Sequence, residues 1–169
     1  MLETRDLILD KAKYADWQAM YYNVWRHPAC ARYMMWSVTE SEADARSRIK
    51  RTIAFQETHD AYFVYEKASG QAIGFAGIEQ MEPGVCSETG ICLGIDYQRK
   101  GYGRQIVQCL MRYSRERFHA REFLYSAREE NAASIALARS MGFVLRGVEQ
   151  KTDERDGQIY RLLRYGLLL

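Results

Sequence analysis

Gln98-Arg99-Lys100-Gly101-Tyr102-Gly103, running directly into Arg104, is the stretch of this chain with the clearest chemistry. It lies between an apolar run, Ile91 to Ile95, and a segment with helical amphipathicity. That layout suits a pyrophosphate. Glycines let backbone N–H groups turn into one concavity, the helix that follows adds the positive end of its dipole, and Arg and Lys supply charge. Taken alone, Gly-x-Gly also describes a flexible turn, with Arg99 and Lys100 as surface decoration. A second candidate is Glu88, which in an alternating strand shares a side with Gly90, Cys92 and Gly94. It can serve as a general base, or as a rim carboxylate that attracts a cation or joins a surface ion pair. The histidines (His27, His59, His119) and cysteines (Cys30, Cys86, Cys92, Cys109) form no metal-ligand or CxxC pattern, so no metal is expected.

The periodicity of the chain defines the elements that must position these groups. Arg5 to Asp10 predicts a strand, and Tyr14 to Trp25 a helix with Trp17, Met20, Tyr21, Val24 and Trp25 on one face. Thr39-Glu40-Ser41-Glu42 matches a capping box with Thr39 as N-cap, opening a helix to about Gln56. Its inner stripe is Ile49, Ile53 and Ala54; Arg46, Arg48, Lys50 and Arg51 form a solvated face. Strands follow at Tyr62 to Glu66, Ala72 to Met81 and Val85 to Ile95, the last delivering the chain to the glycine loop. A helix lined by Ile106, Val107, Leu110, Met111 and Phe118 precedes a strand at Phe123 to Ala127. Asn131 caps a short helix that Gly142 closes, and strands from Phe143 and Ile159 meet at an Asp156-Gly157 turn. The order β-α-α-β-β-β-α-β-α-β-β predicts one mixed α/β domain over residues 1–169.

Composition narrows the classes. A formal net charge of +2 and no long Lys/Arg cluster argue against nucleic acid. No apolar run reaches the roughly 18 residues of a membrane span, and the charged N-terminus has no apolar leader, so a cytoplasmic location is expected.

Two stretches resemble the GNAT acyltransferase superfamily. Gln98 to Gly103 is similar to its acyl-CoA pyrophosphate loop, and Asn131-Ala132-Ala133-Ser134 with Met141-Gly142-Phe143 is similar to its N-x-x-S and G-F elements. Arg5-Asp6-Leu7-Ile8-Leu9, His27-Pro28, Ile73 to Ile78, Glu88 to Leu93 and Tyr160-Arg161-Leu162 resemble the ribosomal-protein N-terminal acetyltransferase branch. The resemblance implies a mostly antiparallel sheet of about seven strands with a splayed central pair, about four helices, and acetyl-CoA as co-substrate. It implies that Leu93, Gly94 and Ile95 bind the pantetheine arm and thioester carbonyl through their backbones, one N–H acting as oxyanion donor. Leu93 and Ile95 are core residues on either reading.

By the same resemblance Gln98, Arg99, Lys100, Gly101, Tyr102, Gly103, Arg104, Asn131 and Ser134 bind the cofactor, and Tyr33 and Trp36, with Glu88, face the acceptor. Many members carry a tyrosine acid where this chain has Ala138; Ser134 resembles the serine given that role in the N-terminal acetyltransferase branch. A hydroxyl that merely bonds the backbone or CoA is an equal reading. The implied activity is direct attack of a primary amine, on a protein N-terminus or a small molecule, in a ternary complex. A homodimer is allowed. The missing tyrosine favours the alternative, a CoA-binding regulatory or interaction module of weak activity.

Overall fold

An eight-stranded sheet runs through the computed structural model, which describes residues 1–169, in the order β1-β2-β3-β4-β5-β6-β8-β7. The strands are β1 (Leu2–Glu3), β2 (Leu7–Asp10), β3 (Ala61–Glu66), β4 (Ala72–Glu82), β5 (Val85–Leu93), β6 (Glu122–Arg128), β7 (Val144–Thr152) and β8 (Ile159–Leu168). Only β5 and β6 are parallel, because the glycine loop, a helix and a turn must carry the chain back before β6 begins. The eighth strand, β1, is two residues paired to β2, too short to leave a periodicity in the sequence.

Five α-helices flank the sheet: α1 (Trp17–Met20), α2 (Pro28–Ala31), α3 (Glu42–Thr58), α4 (Tyr102–Phe118) and α5 (Ala132–Ser140). The predicted helix at Tyr14 to Trp25 forms as a 3₁₀ turn, α1 and a π turn in succession. α2, one turn after His27, starts on Pro28, whose fixed φ suits a first helical position. On one face Met20, Val24, Trp25, Ala45 and Ile49 pack on Phe63, Ala72 and Cys92. On the other, Ile106, Val107, Leu110 and Ala138 pack on Ile73, Ala76, Ile78 and Phe123. The sheet therefore separates an α3 side from an α4 and α5 side.

Several local expectations shift. The N-cap of α3 is Ser41, whose Oγ accepts the Asp44 N–H at 3.1 Å; Thr39 is buried and its hydroxyl accepts from Arg48 at 2.9 Å. Ala45 and Gln56 replace the exposed Ala54 in the inner stripe. Arg46, Lys50 and Arg51 are solvated, whereas Arg48 is half-buried. β5 ends at Leu93, and Ile95 opens a 3₁₀ turn to Tyr97. Ile95 is consequently exposed rather than part of the core.

Candidate active site

The parallel pairing of β5 with β6 lasts only from Val85 to Ser87. At the next residue the strands part, and Glu88 stands at the fork. One carboxylate oxygen accepts the Ser126 N–H of β6 at 3.0 Å and the other accepts the Gly90 N–H of β5 at 2.7 Å. The side chain thus takes up a donor that a continuing ladder would have paired, and the splay costs no orphaned N–H at these two positions. The bend has a second cause. Gly77 pairs with Gly90 while Ile78 pairs with Glu88, so Thr89 is an extra residue in β5. Gly90 has φ of 130°, a conformation that L side chains rarely adopt.

This bulge breaks the alternation that groups Glu88 with Gly90, Cys92 and Gly94. Glu88 takes the register of Ile78, and Cys92, paired with Phe75, lies on the other face against α3. Burial pushes the Glu88 carboxyl above the ordinary glutamate range, opposed by its two backbone donors and the Arg164 charge. The fork opens into a cleft of about 360 Å³ whose walls include Glu88, Tyr33, Trp36, Tyr125, Asn131 and Ser134.

Asn131 caps α5 as expected, its Oδ1 accepting the Ser134 N–H at 3.2 Å. Ser134 Oγ lies 2.6 Å from the Tyr125 hydroxyl. Tyr125 is buried, and desolvation raises its phenol to about 12, so it stays protonated through the neutral range. Sequence reasoning missed this group. The signal was strand parity, since Phe123, Tyr125 and Ala127 share the buried side of β6 and Tyr125 alone among them carries a hydroxyl. Ala138, by contrast, is buried in the core on the α4 side.

The glycine loop lies at the end of β5. Gly101, at φ 80°, immediately precedes α4 and supplies no side-chain cap. The first N–H groups of that helix are therefore left for an outside acceptor, as an anion would require. Gly103 faces α5: a β-carbon there would stand 3.2 Å from Leu137. The polar side chains divide. Gln98 donates to the Leu93 carbonyl at 3.0 Å, and Arg104 donates to Ser140 Oγ at 2.8 Å, so both tie the loop to its neighbours. Lys100 stands 3.7 Å from Glu66, and Arg99 is exposed with φ 60°. Of the three strand-end residues, Gly94 spends its N–H on the Ile73 carbonyl at 2.8 Å.

The segment 32–36 walls the cleft from the far side, and distant residues hold it there. Tyr33 donates its hydroxyl to the Glu130 carbonyl at 3.2 Å. Trp36 meets Phe75 edge-on, and its indole N–H is buried without a partner. From the β7–β8 turn, Arg155 donates to the carbonyls of Ala31 and Trp36, each at 2.9 Å. Asp153 grips Arg155 and Arg128, each with an N–O separation of 2.7 Å, and these two guanidiniums hold its carboxyl well below the usual range. None of Asp153, Arg155 or Arg128 stood out in the sequence. No three His, Cys, Asp or Glu side chains gather in a metal-binding arrangement, and no helix is long and apolar enough to cross a membrane.

Residues 6–144 match a family model described as an acetyltransferase (GNAT) domain. The chain is 22% identical over 170 residues to an uncharacterized N-acetyltransferase, p20, of Bacillus licheniformis, covering 99% of this chain and 95% of that one. Its fold is similar to that of an acetyltransferase of Salmonella typhimurium that modifies the N-terminal serine of ribosomal protein L7/L12, with a TM-score of 0.78 and 22% identity over 98% of this chain and 96% of that one. It is also similar to the microcin C7 self-immunity acetyltransferase MccE, solved with acetyl-CoA and AMP: TM-score 0.81 and 20% identity, over 98% and 94% of the two chains.

Proposed function

The chain belongs to the acetyltransferase (GNAT) domain family and is an acyltransferase, and we propose that residues 1–169 form one unit that moves an acetyl group from acetyl-CoA to a primary amine. The observation that carries this reading is the fork at Glu88, which opens a cleft lined by Asn131 and Ser134 at the start of α5 and by an aromatic wall of Tyr33 and Trp36, with the glycine loop following the same strand β5. The donor residues fit coenzyme A: α4 presents uncapped N–H groups behind Gly101, with Arg99 and Lys100 exposed in the loop before it. Bound there, acetyl-CoA supplies an activated thioester.

The chain's own residues then manage two protons. An ordinary amine is mostly protonated at neutral pH, with pKa values from about 8 for an α-amino group to about 10.4 for lysine. Glu88, held at the fork by two backbone N–H groups, takes the proton that the attacking nitrogen must lose. Its raised pKa brings it closer to the working pH, which favours a general base. Ser134 gives a proton to the departing thiolate, and Tyr125 behind it restores that proton through their 2.6 Å contact. A backbone N–H of Leu93 or Ile95 meets the thioester carbonyl, a role of position rather than side chain. Tyr33 and Trp36 orient the acceptor, a small amine or a protein N-terminus.

Thiol release from acetyl-CoA, measured over a panel of peptides, polyamines and amino acids, tests the reading. Turnover with at least one amine and saturation in acetyl-CoA are expected. Tight CoA binding without turnover on any acceptor would overturn it and favour a binding module.

A further inference from the structure

Arg48 was expected on the solvated face of α3, yet it is tucked between two indoles. Its guanidinium lies 4.7 Å from the Trp25 ring centroid and 4.5 Å from that of Trp36. One N–H is given to Thr39, the single hydrogen bond its side chain makes, and no carboxylate pairs with it. Burial and the neighbouring Arg51 lower its pKa to about 10, so the group remains a cation at neutral pH. A guanidinium offers five N–H donors, and here most have no acceptor within the protein. Arg46, on the same helix, is paired with Glu42.

The surroundings give this cation a direction. A cavity of about 220 Å³ lies on the α3 side of the sheet, and Arg48 is the sole charged side chain among its walls. Trp36, Phe75, Thr89 and Gly90 line this cavity and also the cleft at the Glu88 fork. Trp36 brings its unpartnered indole N–H to the same place, a second donor seeking an acceptor. Toward solvent, Arg48 also borders an outer groove that adds Arg51, with the carboxylates of Asp44 and Glu40 on its walls. Asp44 already accepts from Ser41, and neither acid reaches the inner cavity. The donor loop leads into α4, which packs on the opposite face of the sheet, so this cavity lies on the face away from that helix.

Resting on the acetyltransferase reading, we infer that the acceptor is an amine carrying an anionic group, carboxylate or phosphate, which Arg48 and the Trp36 N–H bind in this cavity while the amine reaches Glu88. The two ends of the acceptor are then sorted by charge: the ammonium toward a carboxylate, the anion toward a guanidinium held in an apolar wall, where a charge-assisted hydrogen bond is strongest.

Matched acceptors test this. A short series of ω-amino acids is compared with the corresponding carboxamides, and phosphoethanolamine with ethanolamine, by thiol release from acetyl-CoA, correcting for the free-amine fraction. The anionic member of a pair is expected to have a kcat/KM about tenfold or more higher, as one charge-assisted contact allows. Which acid series wins separates carboxylate from phosphate. Arg48→Gln should bring the ratio close to one, and Arg48→Lys should restore part of it. Equal use of acids and amides by the wild type, or an equal loss on both from Arg48→Gln, would overturn the inference and leave Arg48 as a staple between Trp25 and Trp36. If no amine is turned over, whether or not acetyl-CoA binds, the acetyltransferase reading has failed by itself. The anion site is then read directly by indole fluorescence during titration with inorganic phosphate. A saturable change that Arg48→Gln abolishes and Arg48→Lys retains is expected; no change, or one indifferent to Arg48, refutes the site.

Discussion

The two sides of the cleft are built on different principles. The donor side is one continuous stretch, from the end of β5 through the glycine loop into α4, and what it offers is backbone N–H groups made available by Gly101. The acceptor side is assembled from pieces far apart in sequence. Arg155 holds the carbonyls of Ala31 and Trp36, and Tyr33 reaches Glu130. A ligand common to every member of a family can be met by one local motif of backbone and charge. A ligand that differs between members is met by side chains brought together by the whole fold, where substitutions alter the fit and leave the strands intact.

The largest effect should come from the fork, where the two sides meet. Glu88→Gln replaces an acceptor-only carboxylate by an amide with one oxygen, leaving either the Ser126 or the Gly90 N–H facing a second donor. Stability should fall by about 1–3 kcal/mol, read as a lower denaturation midpoint. If Glu88 is the base, kcat should drop about 100-fold near pH 6 and much less near pH 9, because the variant depends on amine that is already neutral. A uniform loss across pH would assign Glu88 to holding the fork alone. The sign of the linkage is separate. A carboxyl raised on folding favours the native state below its unfolded pKa and loses that contribution as pH rises through the folded value, so the stability of Glu88→Gln should be flatter in the acid range.

A purely donor-side change comes next. Gly103→Trp puts an indole against Leu137, where a β-carbon alone already stands at 3.2 Å. The acetyl-CoA KM should rise about 30-fold, or about 2 kcal/mol, with a much smaller change in the acceptor KM. Parallel rises in both constants would mean that the two sides are not separable. Smaller again is Tyr125→Phe, which leaves Ser134 without its 2.6 Å partner. A fall of about tenfold in kcat is expected with both KM values kept, and the alkaline limb should not move, since a phenol at about 12 is protonated throughout. Ser134→Ala should match it, and the double variant should be no worse than either single one.

The same contrast explains what could be read in the sequence. The strands other than β1, with α3 and α4, announced themselves by period, α5 by its Asn131 cap, and the loop by glycine and charge. Glu88 was visible as a residue, but its setting was not, because the bulge at Thr89 reverses the alternation on which its neighbours were assigned. Arg48 looks like any other charge on a helix that carries four close together, since nothing local says that Trp25 and Trp36 close over it. Tyr125, Asp153 and Arg155 gain meaning only through contacts across the fold. Ser41 rather than Thr39 caps α3 because Thr39 is already committed, buried and accepting from Arg48.

The smallest expected effect tests the division most sharply, because Asp153 lines neither the cleft nor the glycine loop. Asp153 is held by Arg128 and Arg155, and Arg155 in turn holds the acceptor wall at Ala31 and Trp36. Asp153→Asn weakens the grip on both guanidiniums and frees the segment 32–36 to move. The acceptor KM should rise about threefold to fivefold through loss of positioning, with the acetyl-CoA KM unchanged and Asp153→Glu recovering part of the loss. The pH dependence carries the sign of the latch. A carboxyl held below its ordinary value contributes above the unfolded pKa and is lost only as pH falls through the folded one, so the wild-type acceptor KM should show no acid limb from Asp153 near pH 4. Were the acetyl-CoA KM to move with the acceptor KM, the hairpin would be bracing the whole cleft, and the division between a local donor site and an assembled acceptor site would fail.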